Sequence, residues 1–367
     1  MIWLAFPAFV FLTARLVIVI VNMITRQWLR KEVPENAPSV SVLIPARNEA
    51  ENLPQLLDGL MKQTYEPFDI WIFDDDSRDG TRAVIASYAA RYSRIRYLEG
   101  QGVPEGWNGK NNACHQLAMK AEGEYLLFLD ADVRVEPDLL AKAVQHARRR
   151  NLTLLSIFPR QLMLSFGEKI TVPVMNWILV SLLPLALTRW SHYTSLSAAN
   201  GQFMLFRGRE YRQHRFHAMV KEINVEDIHI FRLVKRMGYS AHTVLSRGEI
   251  SCRMYRSLKE GVIGFTRSVF AFFGGSGTIL LLFTLFTTFG VFFVWAGMGL
   301  VYALVYLTLA LLLRALVAML SVQPILAGTL LSPLIQLSFV RIVIRAFLFR
   351  ARGKNVWKGR TIKFTGI

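Results

Sequence analysis

The sequence has little cysteine and no acidic residues toward either end. Its two cysteines, Cys114 and Cys252, form neither a CxxC pair nor a zinc-type cluster, and they fit a reducing compartment. Residues 1–31 and 261–367 contain no aspartate or glutamate, although they carry four and ten basic residues. The net charge of +17 is therefore concentrated near the ends, because residues 32–260 hold 29 basic and 26 acidic residues.

This distribution of charge argues against a nucleic-acid partner and for a lipid bilayer. The basic residues flank apolar segments, as the positive-inside rule describes for the cytoplasmic edges of membrane proteins. Anionic lipid at the cytoplasmic face favours the same arrangement. We therefore expect the basic tail, residues 349–367, to be cytoplasmic.

A long apolar run opens the chain. Residues 1–24 carry one charge, Arg15. A spanning helix needs roughly 20 apolar residues, so residues 1–25 are predicted to form an N-terminal transmembrane anchor. A cleaved signal peptide is the alternative, but its basic residues would precede the apolar run, whereas here Arg26 and Arg30 follow it.

The C-terminal apolar run, residues 278–348, has length for about three transmembrane helices. The candidate spans are residues 279–297, 300–320 and 325–347. A cytoplasmic tail requires an even number of spans, so one segment is expected to be re-entrant or interfacial. Arg314 and Pro324 make the last two spans the doubtful pair.

Residues 38–260 are predicted to form an α/β domain. Strand-like and helix-like segments alternate, which implies a mostly parallel, Rossmann-like sheet. The strands are expected at Val40–Ile44, Phe68–Phe73, Ile95–Leu98 and Tyr125–Leu129, and the helices at Asn48–Met61, Thr81–Tyr92 and Ala113–Ala121. Ligands of open sheets bind beyond the carboxyl ends of the strands. Polar segments follow three of these strands, at Pro45–Glu49, Asp74–Asp76 and Asp130–Asp132.

One apolar segment interrupts the domain at residues 162–190. It contains Glu168, Lys169, Pro173 and Pro184, so it is less uniformly apolar than the terminal runs. We interpret it as a helix lying at the membrane interface. A buried helical insertion is the alternative.

Two acidic segments follow predicted strands. Asp130 and Asp132 can reach one hard cation, which is usually shared with phosphate oxygens, or they can form a solvated turn. Asp74–Asp76 can accept hydrogen bonds from a base or ribose. Alternatively this segment belongs to a turn in which Ser77 or Asp79 caps the next helix.

Six ordered blocks run through the central domain. They are PARNEA (45–50), DDDSRDGT (74–81), GWNGKNNA (106–113), DADV (130–133), AANGQF (198–203) and VEDIHIFRLVKRMGY (225–239). Together they resemble family 2 glycosyltransferases of the GT-A fold over residues 39–260. Within that family the chain is similar to membrane-bound bacterial enzymes that glycosylate lipids, including carotenoid- and hopanoid-associated glycosyltransferases. Three shorter pieces carry this narrower resemblance, Trp107–Lys110, Met254–Tyr255 and Trp357–Arg360.

The resemblance implies a GT-A nucleotide-sugar-binding domain between N-terminal and C-terminal transmembrane helices. Nucleotide-sugar binding would fall to Pro45, Ala46, Arg47, Glu49, Asp74, Asp75, Lys110 and Asp130. Asp132, with Asp130, would hold Mg²⁺ or Mn²⁺ on the diphosphate. Asp227, beside Glu226, would be the general base that activates the acceptor hydroxyl. The acceptor would meet Asn200, Gly201 and Gln202.

Alternatives stay open for these residues. Glu226 and Asp227 also suit the acidic first turn of a helix, which the helix macrodipole favours. The segment Asn200–Gln202 also suits a plain turn. Arg253 and Arg256 could pair with the diphosphate or with lipid headgroups.

One departure from the family pattern bears on the product. Processive members carry a QxxRW block, whereas the corresponding stretch here is Ser251–Arg256. This difference argues for transfer of a single sugar rather than polymerisation.

The sequence therefore predicts a multi-pass protein of the inner (cytoplasmic) membrane with a cytoplasmic catalytic domain, because nucleotide sugars are cytoplasmic. The expected reaction is inverting transfer of one sugar, from a UDP-sugar donor, to a hydroxyl of a membrane lipid such as a carotenoid or other isoprenoid. One alternative is a polyprenyl-phosphate sugar synthase, in which Arg253 and Arg256 would bind the anionic acceptor. Another is a non-catalytic membrane scaffold with the same fold.

Overall fold

A computed structural model describes residues 2–30, 37–352, 354–357 and 360–363. The chain divides into two compact units. The helical unit comprises residues 1–26, 161–185 and 254–367, and the sheet unit comprises residues 27–160 and 186–253. Residues 31–36, which follow the predicted anchor, and parts of the basic tail, including Lys358 and Gly359, lie outside the described residues.

The regular elements are numbered in chain order. The strands are β1 (Val40–Ala46), β2 (Phe68–Asp74), β3 (Ile95–Glu99), β4 (Tyr125–Leu129), β5 (Val133–Val135), β6 (Leu154–Phe158), β7 (Arg160–Gln161), β8 (Phe203–Arg207), β9 (Ala241–Leu245), β10 (Ile250–Cys252), β11 (Lys354–Trp357) and β12 (Arg360–Lys363). The helices are α1 (Ile2–Thr25), α2 (Leu53–Met61), α3 (Thr81–Arg91), α4 (Gly109–Lys120), α5 (Leu139–Arg149), α6 (Phe166–Lys169), α7 (Pro173–Leu182), α8 (Leu187–Trp190), α9 (Gly208–His214), α10 (Phe216–Met219), α11 (Glu226–Arg236), α12 (Leu258–Phe272), α13 (Gly277–Met298), α14 (Leu300–Leu320), α15 (Ile325–Leu330) and α16 (Ser332–Arg352).

The sheet unit contains a seven-stranded sheet in the order β3-β2-β1-β4-β8-β6-β9. β1 pairs in parallel with β2 and β4, β2 with β3, and β6 with β9, whereas β8 is antiparallel to β4 and β6. The predicted mostly parallel α/β sheet is thus confirmed. Because β2, β1 and β4 are adjacent and parallel, their carboxyl ends share one edge of the sheet.

Apolar packing fixes two helices against this sheet. Leu117 of α4 and Phe231 of α11 are fully buried in one cluster with Leu43 of β1 and Leu126 of β4. Burial of each such side chain contributes about 1.5–3 kcal/mol. The first turns of α4 and α11 carry chemistry-bearing residues, so this packing also positions the candidate site.

The predicted start of α2 at Asn48 is wrong, since the helix begins at Leu53. Asn48 has a left-handed backbone with φ 54°, which breaks helical geometry. The backbone N–H of Glu49 donates instead to Thr81 Oγ1 over 2.8 Å. Residues 48–52 therefore form a turn rather than a first helical turn.

The predicted start of α4 at Ala113 is also wrong, because the helix begins four residues earlier at Gly109. The Asn108 side chain accepts a hydrogen bond from the backbone N–H of Lys110 over 2.9 Å. This N-cap starts the helix. Polar residues fill the first turn, so the apolar pattern alone places the start too late.

Four helices of the helical unit are long and apolar enough to cross a membrane, by length and composition. They are α1, α13, α14 and residues 332–351 of α16, which coincide with the predicted segments 1–25 and 278–348. α1 and α13 are antiparallel. A Cβ atom at Gly297, near the end of α13, would lie 2.9 Å from Ala5 Cβ.

The helices α13 and α14 form an antiparallel hairpin through Gly299, whose φ is 94°. The Tyr306 hydroxyl of α14 donates to the Phe286 carbonyl of α13 over 3.2 Å. Only glycine adopts the φ of 94° found at Gly299 without strain. This explains how a single residue joins two long helices.

Helix α16 is likewise antiparallel to α13. Its Phe347 lies 3.3 Å from the position of a Cβ on Gly277, at the start of α13, and Gln336 Nε2 donates to Thr288 Oγ1 over 2.8 Å. Since residue 288 lies midway along α13, α16 begins near the middle of the bundle. α14 and α16 thus run in the same direction, and the segment around α15 turns back between them.

Helix α7 is buried within the helical unit. Trp177 packs against Phe283 of α13 and Phe339 of α16, with ring centroids 5.1 and 5.6 Å apart. Asn22 of α1 donates to the carbonyls of Val180 and Leu183, each over 2.9 Å. α7 is therefore packed inside the helical unit, as the buried-insertion alternative describes, and a position of residues 162–190 at a membrane interface stays a prediction.

Candidate active site

A lysine–carboxylate cluster lies at the carboxyl edge of the sheet. Lys110 Nζ, in the first turn of α4, lies 2.8 Å from Asp130 Oδ1, directly after β4, and 3.0 Å from Glu226 Oε1, at the start of α11. Burial alone would lower the pKa of Lys110, but Asp130 and Glu226 raise it well above its usual value. Lys110 is therefore a cation that joins three segments distant in sequence.

Gly201 brings the loop before β8 directly against this cluster. A Cβ atom at position 201 would lie 3.0 Å from Lys110 Nζ and 3.2 Å from Glu226 Oε1. The backbone N–H of Gly201 also donates to Asp227 Oδ2 over 2.9 Å. A side chain at position 201 would force Lys110 or Glu226 to shift by a few tenths of an ångström.

The neighbouring Asn200 uses its side chain within the loop. Its Oδ1 accepts from the backbone N–H of Gln202 over 2.9 Å, and its own backbone N–H donates to Ser156 Oγ over 2.9 Å. The side chain of Asn200 therefore takes part in a turn, as the alternative interpretation predicts. Contact of Asn200, Gly201 and Gln202 with an acceptor stays a prediction.

Asp227 is held by two backbone N–H groups. Oδ2 accepts from Gly201, and Oδ1 accepts from Ile228 over 2.8 Å. Burial and then the negative charge of Glu226 raise the pKa of Asp227 to about 7, although the two N–H groups and Lys110 partly oppose that rise. A carboxylate in this state can exchange a proton near neutral pH.

Asp132 lies beside Gln202 and Cys252. Gln202 Nε2 is 3.5 Å from Asp132 Oδ1 and 2.7 Å from Cys252 Sγ. β10 pairs antiparallel with β5 so that Cys252 lies opposite Val133. Burial raises the pKa of Cys252 well above its usual value, so this thiol stays protonated at neutral pH.

The chemistry of Asp132 suits a divalent cation. Burial, followed by the negative charges of Asp130 and Glu49, raises the pKa of Asp132 to about 7, and a bound cation would relieve that repulsion. Within the described ranges, no cluster of three or more His, Cys, Asp or Glu side chains could hold a metal ion by itself. Mg²⁺ is commonly held by one or two carboxylates together with substrate phosphates. Asp130 and Asp132 fit that arrangement.

The predicted nucleotide-binding residues follow β1 and β2. Arg47 NH1 donates to the carbonyl of Asp75 over 2.6 Å and lies 3.6 Å from Asp75 Oδ2. Pro45 and Ala46 close β1, and Ala46 pairs in register with Asp74 of β2. These residues therefore meet at the same sheet edge, as the strand-end pattern predicts.

Asp74 and Asp79 accept hydrogen bonds within the turn that follows β2. Asp74 Oδ1 accepts from the backbone N–H of Ser77 over 3.1 Å. Asp79 accepts from the backbone N–H groups of Thr81 and Ala50 over 3.0 and 3.2 Å. Asp74 and Asp79 therefore take part in the turn, and Asp75 is the carboxylate that faces Arg47. Contact of Asp74 and Asp75 with a nucleotide stays a prediction.

A cleft of about 490 Å³ lies next to these residues, beyond the end of β3. Its walls include Phe73, Glu99, Gln101, Asn112 and Gln116. None of them is among the predicted site residues. The same strand-end rule applied to β3 points to Gly100–Pro104, which lines this cleft.

The two arginines predicted to meet the diphosphate belong to different units. Arg253 follows Cys252 directly and is the last residue of the sheet unit. Arg256 belongs to the helical unit, where its backbone N–H donates to Glu260 Oε2 over 2.9 Å. Their joint contact with a diphosphate stays a prediction.

Comparisons of sequence show that the chain is similar to known glycosyltransferases. The profile of the family described as glycosyl transferase family 2 matches residues 41–206. A 4,4'-diaponeurosporenoate glycosyltransferase of Staphylococcus haemolyticus is 26% identical over 247 residues, which cover 65% of this chain and 63% of that protein. A beta-monoglucosyldiacylglycerol synthase of Nostoc sp. is 30% identical over 125 residues, covering 34% of this chain and 26% of that protein. The chain thus spans less than two thirds of the length of both relatives.

A solved structure shares the fold. The mannosyltransferase PcManGT from Pyrobaculum calidifontis, in complex with GDP-Man and Mn²⁺, superposes with a TM-score of 0.59 and 18% identity. The match covers 94% of this chain and 98% of that protein. At this level of identity the likeness supports the fold.

Proposed function

We propose that the sheet unit transfers one sugar from a nucleotide-diphosphate sugar to a hydroxyl of a membrane lipid, with inversion. The match of residues 41–206 to the profile of glycosyl transferase family 2 supports this assignment. The observation that carries this proposal is the convergence of Asp227, Lys110 and Asp130 around Gly201. A proton acceptor and a fixed cation beside paired carboxylates suit alcohol activation next to a diphosphate leaving group.

Asp227 acts as the general base in this mechanism. The acceptor oxygen forms a bond to the anomeric carbon while the bond from that carbon to the diphosphate oxygen breaks. The hydroxyl proton passes to Asp227, and the nucleoside diphosphate leaves with the electron pair. A single in-line displacement inverts the anomeric configuration and needs no covalent sugar–enzyme intermediate.

Glu226 and Lys110 determine the electrostatic environment of Asp227. The charge of Glu226 contributes to the raised pKa of Asp227, which brings its proton affinity close to neutral pH. Lys110 holds Glu226 and Asp130 in place through contacts of 3.0 and 2.8 Å. Its positive charge also favours the negative charge that develops on the departing diphosphate.

Asp132 and Asp130 would hold Mg²⁺ or Mn²⁺. Such an ion supplies charge neutralisation to the leaving diphosphate. The raised pKa of Asp132 supports this role, because a cation stabilises the ionised carboxylate. The mannosyltransferase of the same fold is described in complex with Mn²⁺.

The donor would lie across the ends of β1 and β2. Arg47, Glu49 and Asp75 line that edge, and Asp75 can accept hydrogen bonds from a base. We propose a uridine-type donor. Competition by UDP, GDP and other nucleoside diphosphates against a labelled donor identifies the base.

The acceptor would be a membrane lipid, a carotenoid or another isoprenoid. The four apolar helices support a membrane setting for the chain. The relative from Staphylococcus haemolyticus is named for a carotenoid-type substrate, and the Nostoc relative for a glucosyldiacylglycerol product. Both names support a lipid acceptor.

The helical unit also supports a topology. α1 ends at Thr25 on the side where α13 begins, because the two helices are antiparallel over their full lengths. α16 ends on that same side, because Phe347 lies against Gly277. We propose that this side is cytoplasmic, with the segment around α15 re-entrant, in a multi-pass protein of the inner membrane. This arrangement would place both ends of the C-terminal helical segment on the cytoplasmic side, as a cytoplasmic tail requires.

Product formation tests the proposal. Purified full-length protein in detergent is incubated with labelled UDP-sugars and a lipid extract, with and without a metal chelator. The proposal predicts a lipid-extractable labelled product that chelator abolishes. Release of free sugar without a lipid product would contradict lipid glycosylation, and the absence of any donor turnover would contradict the transferase assignment.

A further inference from the structure

Two arginines lie among the apolar helices of the helical unit. Arg15 is 4% exposed and lies ten residues, or about 15 Å, before the end of α1. Arg314 lies on α14, six residues before Leu320. The sequence of the helical unit contains only two acidic residues, Glu168 and Glu260. A charge in such a setting is costly and commonly marks a functional site.

The hydrogen bonds of both arginines go to neutral side chains. Arg15 Nε and NH2 donate to Ser181 Oγ over 3.1 and 2.7 Å. Arg314 NH2 donates to Gln336 Oε1 over 3.0 Å. In the part of the chain that the structure describes, neither guanidinium forms an ion pair with a carboxylate. Neutral partners satisfy donors but do not compensate a buried charge.

One aromatic ring brings the two guanidinium groups together. The Cζ atoms of Arg15 and Arg314 lie 4.6 and 3.7 Å from the ring centroid of Trp177 on α7. Arg15 also lies 4.8 Å from the ring of Phe283. Cation–π contacts offset part of the desolvation of each cation, but two like charges that contact one ring repel each other.

We propose that the helical unit binds the acid group of an amphiphile through Arg15 and Arg314, beside the ring of Trp177. Guanidinium groups match carboxylate and phosphate oxygens with paired N–H donors. The surrounding apolar helices suit a hydrocarbon tail, and the acid group supplies the negative charge that the unit lacks. The site is built entirely from the helical unit and does not depend on the transferase reaction.

Lipid retention tests the site on the full-length protein in a neutral detergent. Two matched pairs of probes serve as ligands, oleate with methyl oleate and dioleoyl phosphatidate with dioleoylglycerol. Native mass spectrometry counts the molecules bound per chain. The proposal predicts one tightly retained acidic amphiphile and much weaker retention of its uncharged partner. Retention of oleate alone assigns a carboxylate ligand, retention of phosphatidate alone a phosphate ligand, and retention of both a site selective for charge.

Substitutions locate the binding. Arg314→Gln and Arg15→Gln are each expected to lower occupancy at fixed ligand by about tenfold or more, because each removes charged hydrogen bonds. Arg314→Lys should retain part of the binding. Arg341→Gln, at an exposed arginine of α16, is the matched control and should bind like the wild type.

Thermal unfolding separates a ligand site from a structural pair. Acidic amphiphile should raise the melting temperature of the wild type and leave that of Arg314→Gln unchanged. If Arg15→Gln does not fold, Arg314→Gln decides, because Arg314 is less buried. Wild-type occupancy in Arg314→Gln, or equal retention of the charged and uncharged probes, would overturn the proposal.

Discussion

The backbone N–H of Gly201 donates a hydrogen bond to Asp227 Oδ2 over 2.9 Å, although the two residues are 26 positions apart. The same glycine passes within about van der Waals distance of Lys110 and Glu226. The loop at Gly201, where no side chain is present, therefore orients the Asp227 carboxylate and packs against the Lys110 ammonium group. Packing space, hydrogen bonding and charge all act at Gly201, and a different substitution changes each of them.

Gly201→Ala should lower kcat by about tenfold, because the groups around the proposed base must shift by a few tenths of an ångström and small misplacements of catalytic groups are costly. The new Cβ would lie 3.0 Å from Lys110 Nζ and 3.2 Å from Glu226 Oε1, so the loop or the cluster must move. Steady-state transfer assays measure the effect. Gly80→Ala is the matched control, because its Cβ would lie 3.6 Å from Ala50 Cβ, an ordinary contact. Equal activity in the two variants would show that the loop tolerates the displacement.

The pH dependence of kcat/KM should report the proposed base. The pKa of Asp227 is raised to about 7, and only the ionised form accepts a proton. Activity should therefore fall as pH decreases below about 7, by up to tenfold per pH unit. In Glu226→Gln, removal of the neighbouring negative charge lowers the pKa of Asp227, so the acid limb should move to lower pH.

The control for this shift is Glu222→Gln, at an exposed carboxylate shortly before α11. Its pH profile should match that of the wild type. An acid limb that stays in place in Glu226→Gln would mean that a group other than Asp227 controls it.

Lys110→Gln should weaken donor binding and lower kcat together, because it removes the cation between Asp130 and Glu226. Charged hydrogen bonds contribute about 1.5–3 kcal/mol each, so a loss of about tenfold to a hundredfold in kcat/KM is expected. Lys62→Gln, at an exposed lysine after α2, serves as the control. Titration of each variant with nucleoside diphosphate measures donor affinity directly, and unchanged affinity and kcat in Lys110→Gln would remove this lysine from the mechanism.

Asn22→Leu should destabilise the helical unit. The Asn22 side chain donates to the carbonyls of Val180 and Leu183 and accepts from the backbone N–H of Leu185. Its removal leaves buried backbone groups unpaired, which costs about 1–3 kcal/mol for each group. The measurement is the melting temperature in detergent. Thr13→Val, which loses one exposed hydrogen bond within α1, should change it little. Equal melting temperatures for the two variants would contradict the role of Asn22 in holding α7 against α1.

Local patterns account for much of the sheet unit. β1, β2 and β4 follow from apolar runs that end in polar residues, and their adjacency brings Arg47, Asp75 and Asp130 to one edge. The start of α4 could not be placed in the same way, because the cap at Asn108 and a polar first turn determine it. Helix capping is a local signal, but hydrophobic periodicity does not detect it.

Contacts between distant segments lie beyond such patterns. The pairing of β10 with β5 sets Cys252 beside Asp132, and nothing in either segment predicts that register. The stacking of Arg15 and Arg314 on Trp177 joins three helices far apart in the chain. Long-range packing decides these positions, since each helix alone would permit several rotations.

Asp227→Asn tests the central claim most directly. The substitution preserves shape and removes the proton acceptor, so kcat for sugar transfer to lipid should fall by about a hundredfold to ten-thousandfold. Binding of the nucleoside diphosphate should stay within about twofold of the wild type, and Asp138→Asn at an exposed carboxylate should leave both quantities unchanged. Near-wild-type turnover in Asp227→Asn would contradict the assignment of this carboxylate as the base.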